Sequence, residues 1–211
     1  MKKTPLILVV ALLVLAGCSS SPQTASNCSG SADVGFCPVD IPTTTGSQTV
    51  EEVWNMVVQA LKKKDLPTLS LLAGREGIRF SPYEHVDLKR DIVLSVEEIK
   101  NGLAISRSFT RWSYDGSGEP IDLWIGQYFE KFVYDVDFSK APVINTNTKI
   151  QRGNVLNNII DVYTGKQVIE YYFSWFDTQY EGIDRRSLNL VFDKQDGQWK
   201  LIGIIHGQWT I

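Results

Sequence analysis

His206 lies in the closing stretch "DGQWKLIGIIHGQW", between Trp199 and Trp209, and is one of two histidines in the 211-residue chain. An imidazole titrates near neutrality, so this residue can act as a general base if it reaches a substrate proton and a second group orients its ring. Asp161, Glu170 and Asp177 are the carboxylates in the same region that can supply an orienter. No spacing ties any of them to His206, which favours a structural, hydrogen-bonded histidine over a catalytic one. His85, in "SPYEHVDLKR", belongs to a charged loop and is the weaker candidate. Two histidines in separate elements do not make a zinc site, and no metal is expected.

Other chemistry is less well supported. Asp115, Ser117 and Glu119 alternate in "YDGSGEP" as in a calcium loop, but the later acidic ligands and the bidentate Glu are missing, so the segment reads as a turn. Asp184 to Arg186, "DRR", can grip a carboxylate or phosphate, yet loop charges beside a strand are usually solvated. There is no GxSxG elbow, no phosphate-cradling glycine loop and no HExxH. No cofactor is expected. The formal net charge of −3 gives no electrostatic case for nucleic acid.

The three cysteines all fall near the N-terminus. "MKKTPLILVVALLVLAGCSS" places Lys2 and Lys3 before an apolar run from Pro5 to Leu15 and then small residues, the order of a secretory signal. The run is too short for a comfortable membrane span. "LAGC", Leu15 to Cys18, resembles the lipobox of bacterial lipoproteins, which implies cleavage after residue 17 and a diacylglycerol on the Cys18 thiol. Losing Lys2 and Lys3 makes the net charge more negative by two, so acyl chains rather than a basic patch would hold the protein to a bilayer. The resemblance implies a bacterial cell envelope. Ser19 is similar to residues that permit sorting to an outer membrane, facing the periplasm in a Gram-negative cell.

Residues 18–48 are rich in Ser, Thr, Gly and Pro with little charge or periodicity, the composition of a tether. Cys28 and Cys37 lie within it, nine positions apart. An exported compartment permits their pairing as a local disulfide, and with no His or second Cys pair nearby a metal site is not indicated.

Residues 49–211 suffice for one domain. "TVEEVWNMVVQALKKKD" opens with a capping box, Thr49 with Glu52, and puts Val50, Val53, Trp54, Val57, Val58 and Leu61 on one helical face. Asp65 and Pro67 start a second short helix ending at Gly74. "GIRFSPY" and "DIVLS" read as short strands, and Ser95 with Glu98 repeats the capping-box spacing. Ile121, Trp124, Ile125, Tyr128, Phe129, Phe132 and Val133 follow at helical spacing. The last third reads as strands: "NVLNNIIDVY", "QVIEYYFSWF", "SLNLVF" and "QWKLIGIIHGQW". Strict alternation in the last of these puts Trp199, Leu201, Ile205 and Trp209 on the more apolar face and His206 on the other.

Helices, short strands, further helix and then antiparallel strands make an α+β domain with helices on one face of a curved sheet. The element order and the closing "DGQWKLIGI" strand resemble the nuclear-transport-factor-like, or SnoaL-like, superfamily over most of residues 49–211. That resemblance implies a cone whose cavity serves isomerase or dehydratase chemistry in some members and only binding or assembly in others. Isomerases of that superfamily use a lone carboxylate as base in a desolvated pocket, so the resemblance implies that Asp161, Asp177 or Glu170 could act in that way. Fold cannot choose between these uses. The missing motifs, the lipobox and the tether favour an envelope lipoprotein that binds a protein partner or a small apolar ligand without catalysis. The alternative is a small isomerase- or dehydratase-like enzyme with an aromatic-lined cavity.

Overall fold

A computed structural model describes residues 48–102, 112–152 and 156–209. These form five α-helices and one six-stranded mixed sheet, an α+β arrangement. The signal, Cys18, the tether and the Cys28 and Cys37 pair lie outside the described residues.

Helix α1 (Val50–Lys63) begins where the capping box requires: Thr49 accepts from the Glu52 amide, and the Glu52 carboxylate accepts from Thr49 N at 2.8 Å. Its apolar stripe buries Val53, Val57, Val58 and Leu61. The chain leaves through Lys64 in a left-handed conformation, and Asp65 caps α2 (Leu66–Leu72). Strands β1 (Ile78–Ser81) and β2 (Ile92–Leu94) follow, then α3 (Val96–Lys100), capped reciprocally by Ser95 and Glu98. Helix α4 (Ile125–Phe132) buries Ile125, Tyr128, Phe129 and Phe132, while Trp124 at its start is exposed.

The long strands are β4 (Gln167–Phe173), β5 (Arg186–Gln195) and β6 (Gln198–Gln208). Between β5 and β6 the two central turn residues, Asp196 and Gly197, both have positive φ, the geometry that matches strand twist in a two-residue hairpin loop. The sheet order is β2-β1-β6-β5-β4-β3, with β3 (Val143–Thr146) at one edge. Strand β6 is therefore interior, antiparallel to β5 and parallel to β1.

Two expectations fail here. "NVLNNIIDVY" is not a strand: its described part forms the short helix α5 (Ile159–Val162). Asn157 and Asn158 determine this. The Asn157 carboxamide accepts from Ile159 N at 3.1 Å, and Asn158 bonds both backbone groups of Val86, at 2.7 and 3.0 Å, tying the segment to a distant loop instead of to a neighbouring strand. Strict alternation along β6 also fails. Phe192 pairs with Leu201 and Val191 with Gly203, so Ile202 is an extra residue, a β-bulge that resets the alternation. Beyond it, Ile204 and His206 point to the same side as Leu201.

That side carries the main core. Ile78, Phe80, Leu188, Leu190, Phe192, Leu201 and Ile204 pack beneath α1 to α4 with Phe132 and Phe138. The opposite side has a smaller core of Val86, Ile159, Val168, Val191 and Ile205, joined by Ile202 and Tyr163.

Candidate functional site

His206 is fully enclosed on the helix-covered side, and its assignment to the less apolar face is corrected by the bulge at Ile202. Its Nε2 lies 3.1 Å from Oδ1 of Asp135, and its ring meets Phe132 edge-on at 5.8 Å. Asp135 arrives just past the end of α4, and its Oδ2 accepts from Arg186 Nε at 2.8 Å. Burial pushes the Asp135 carboxyl up, but the hydrogen bond and charge of His206 and the Arg186 guanidinium outweigh it and leave the group below its ordinary value. A histidine held by a carboxylate is the arrangement of an oriented general base. Here the ring is sealed among side chains, so the pair joins α4 to β5 and β6.

Glu170 lies on the other side of the sheet, so the structure does not bring it to His206. Arg152 holds its carboxylate bidentately, Asn145 Nδ2 donates to it at 2.8 Å, and the Arg152 guanidinium stands 3.6 Å from the Tyr172 ring centroid. Next to it in the sheet register is Asn189, and Ser187 of the same strand donates to Glu84 at 3.0 Å. Glu84, Glu170, Arg185, Ser187 and Asn189 are all buried. Desolvation pushes the Glu84 carboxyl above its ordinary value and Glu170 adds to this, while the Ser187 hydroxyl and Arg185 oppose it. Glu84 Oε2 and Asn189 Nδ2 have no hydrogen-bond partner among the described residues.

Of this polar nest the sequence singles out Glu170 and, within "DRR", Arg185, but not their grouping. The alternation of "RSLNLVF" places Ser187 and Asn189 on one face, and that pattern is the further trace in sequence. Nothing local distinguishes a buried polar face from a solvated one, and Arg152 and Glu84 arrive from distant loops.

Asp161 is exposed and pairs with Lys149. Asp177 is exposed in the β4–β5 loop, where it caps a 3-10 turn by accepting from Gln179 N at 3.0 Å. The four candidates His206, Asp161, Asp177 and Glu170 therefore occupy separate places and form no common site. His85 stays half-buried on the β1–β2 loop. The "DRR" residues are engaged internally: Asp184 accepts from the amides of Phe176 and Asp177, Arg185 donates to Arg152 O, and Arg186 holds Asp135. Segment Asp115 to Glu119 is a turn in which Gly118 N donates to Tyr114 O. Among the described residues no group of three or more His, Cys, Asp or Glu is placed to hold a metal.

Concave surface is found outside the core. An open groove of about 610 Å³ runs along Arg75, Arg79, Tyr163, Lys166, Lys194 and Ile202. Two of its four cations are held in ion pairs, Arg75 by Asp196 and Lys166 by Asp193. A smaller hollow of about 290 Å³ lies beside Trp124, Leu66 and Phe129. Among the described residues, the β4–β5 loop exposes four large apolar side chains, Trp175, Phe176, Tyr180 and Ile183. No helix among the described residues is long and apolar enough to cross a membrane. Comparison with protein families, with curated proteins and with solved structures finds no match to this chain.

Proposed function

We propose that this chain is a cell-envelope lipoprotein, held by an acylated Cys18, whose α+β domain binds a protein partner or small apolar ligand through its outer surface without catalysis. The observation that carries the non-catalytic part is the close packing of the described side chains between helices and sheet. Phe80, Phe132, Phe138, Phe192 and Ile204 are at most 1% exposed there, and His206 is packed among them and bonded to Asp135. A nuclear-transport-factor-like enzyme needs that space open, with a base facing it. Filling it leaves the loops and outer faces as the contact surfaces. The long β4–β5–β6 meander beneath α1 to α4 supports reading the domain as a cone of that superfamily, with its interior used for stability.

The anchor is supported by "LAGC" closing the apolar run and by the Ser/Thr/Gly/Pro-rich stretch that follows it. Expression of the full chain in a bacterial host, with membrane fractionation and intact mass, tests it. The expected product begins at Cys18 and carries acyl chains, and Cys18→Ser accumulates as unprocessed precursor. Normal processing and full membrane retention of that variant would falsify the lipoprotein reading.

A further inference from the structure

We infer that the β4–β5 loop, residues 174–185, lays its aromatic side chains into the lipid surface on which the chain is anchored, so that the domain rests against the bilayer. The inference depends on the lipoprotein reading for the nearby membrane and on the loop itself for the contact.

Trp175, Phe176, Tyr180 and Ile183 are 56%, 52%, 49% and 48% exposed. Four large apolar side chains half in water within nine positions of one loop are a concentration that calls for an explanation, where scattered single exposures would not. The loop is also built to hold them there. Asp184 accepts from Phe176 N and Asp177 N at 2.9 and 2.7 Å, Asp177 caps the 3-10 turn at Thr178–Tyr180, and the Phe176 ring stacks on Phe173 at 5.2 Å. The rings are thus presented by a hydrogen-bonded frame.

The residue types select lipid. Indole and phenol rings pair an apolar body with one polar edge, which suits the boundary between acyl chains and headgroups. Phe176 and Ile183 add carbon area for shallow burial. Asp177 bonds Gln179 through both oxygens, Asp184 takes two loop amides on Oδ2, and Glu181 is exposed, so the loop presents acids and zwitterionic headgroups fit it better than anionic ones. The neighbouring sheet edge continues the apolar surface: Val143 pairs with Tyr172 at the loop's root and is itself exposed. The expected 31-residue tether has a root-mean-square span of roughly 30 Å, which keeps the loop within reach of the bilayer.

The test reconstitutes the acylated full chain in phosphatidylcholine vesicles and measures tryptophan fluorescence with lipids brominated near the carbonyl end or near the chain terminus. Shallow bromines are expected to quench more than deep ones, with most of that quenching lost in Trp175→Phe, which keeps the loop apolar and folded. Trp124→Phe, removing the other exposed indole, should leave the lipid-dependent quenching intact. Co-sedimenting chain with acylated Cys18 but no lipid-dependent quenching of Trp175 overturns the inference and leaves the anchor standing. Shielding of Trp175 that needs no vesicles and grows with protein concentration overturns it in favour of a second copy; shielding that appears only with an added envelope protein overturns it in favour of that partner. An unmodified Cys18 in the mass spectrum overturns the anchor separately, and quenching of unacylated chain by added vesicles then still decides the loop.

Discussion

Nε2 of His206 and Oδ1 of Asp135 stand 3.1 Å apart across 71 positions of sequence, joining the last strand to the end of α4. Because Arg186 binds the other oxygen of the same carboxylate, one acid serves two strands and a helix.

Asp135→Ala should cost about 2–4 kcal/mol in urea melts, somewhat below the range for breaking a fully buried pair because the carboxylate keeps 16% exposure. His206→Gln should cost about 1–3 kcal/mol, since the ring is enclosed and its replacement must still reach Asp135. Trp209 lies past the end of β6, half-buried with the Arg185 guanidinium over its ring. Trp209→Ala should therefore be milder than Asp135→Ala. The reverse order would show that the pair does not lock the core.

Acid should act through the same group. With its pKa held below the ordinary value, Asp135 contributes stability that is present at neutral pH and lost as pH falls through the lowered value. Asp135→Asn should be less stable than the parent near pH 7, with the gap narrowing as the pH falls below about 4. A gap that stays constant with pH would contradict the assignment.

Glu84 should behave oppositely. Its pKa is raised by burial, so the folded chain holds its proton more tightly than the unfolded one, and stability declines as pH climbs from the ordinary value of 4.5 toward the raised one. Glu84→Gln, which keeps an acceptor for Ser187, should be more stable than the parent at about pH 7 and equal to it near pH 4. Equal midpoints at both would show that the carboxyl is not desolvated.

Gly207 lies against this nest. An added Cβ would stand 2.1 Å from Ser187 Oγ and 2.5 Å from Glu84 Oε1. Gly207→Ala should lose about 1–3 kcal/mol by overpacking, and Ser187→Ala in the same chain should restore part of it. Strictly additive losses would place the clash elsewhere.

Cys28 and Cys37 are expected to be bonded to each other in exported protein. Intact mass after alkylation without reductant should show neither thiol modified. Two added groups would sink the pairing.

Where local chemistry decides an element, the sequence reveals it. Thr49 with Glu52 and Ser95 with Glu98 mark two helix starts, and the positive-φ pair Asp196 and Gly197 marks the hairpin. Where a distant group decides, it does not. Asn158 reads as part of a strand until Val86 is seen to occupy its carboxamide. Strand β3 is four residues long and is defined by pairing with β4. The side of the sheet on which His206 lies depends on a single inserted residue, Ile202, which no apolar pattern reports. Asp135 was not among the candidate carboxylates, because within "VYDVDF" nothing separates it from Asp137, which bonds Lys62 and Ser139 at the surface.

The interior place of β6 in the sheet also sets the order of events in making the protein. The last of the described strands in chain order is the one that β1 and β5 both need as a neighbour. Until residues 198–208 are available, β1 with β2 and β4 with β5 remain two separate fragments with unpaired edges and an unfinished core. Contacts between the start and end of the domain slow folding, and this sheet can close only once β6 is available. For the exported lipoprotein we propose, that delay is useful, because a chain that cannot close before β6 is available remains threadable until then.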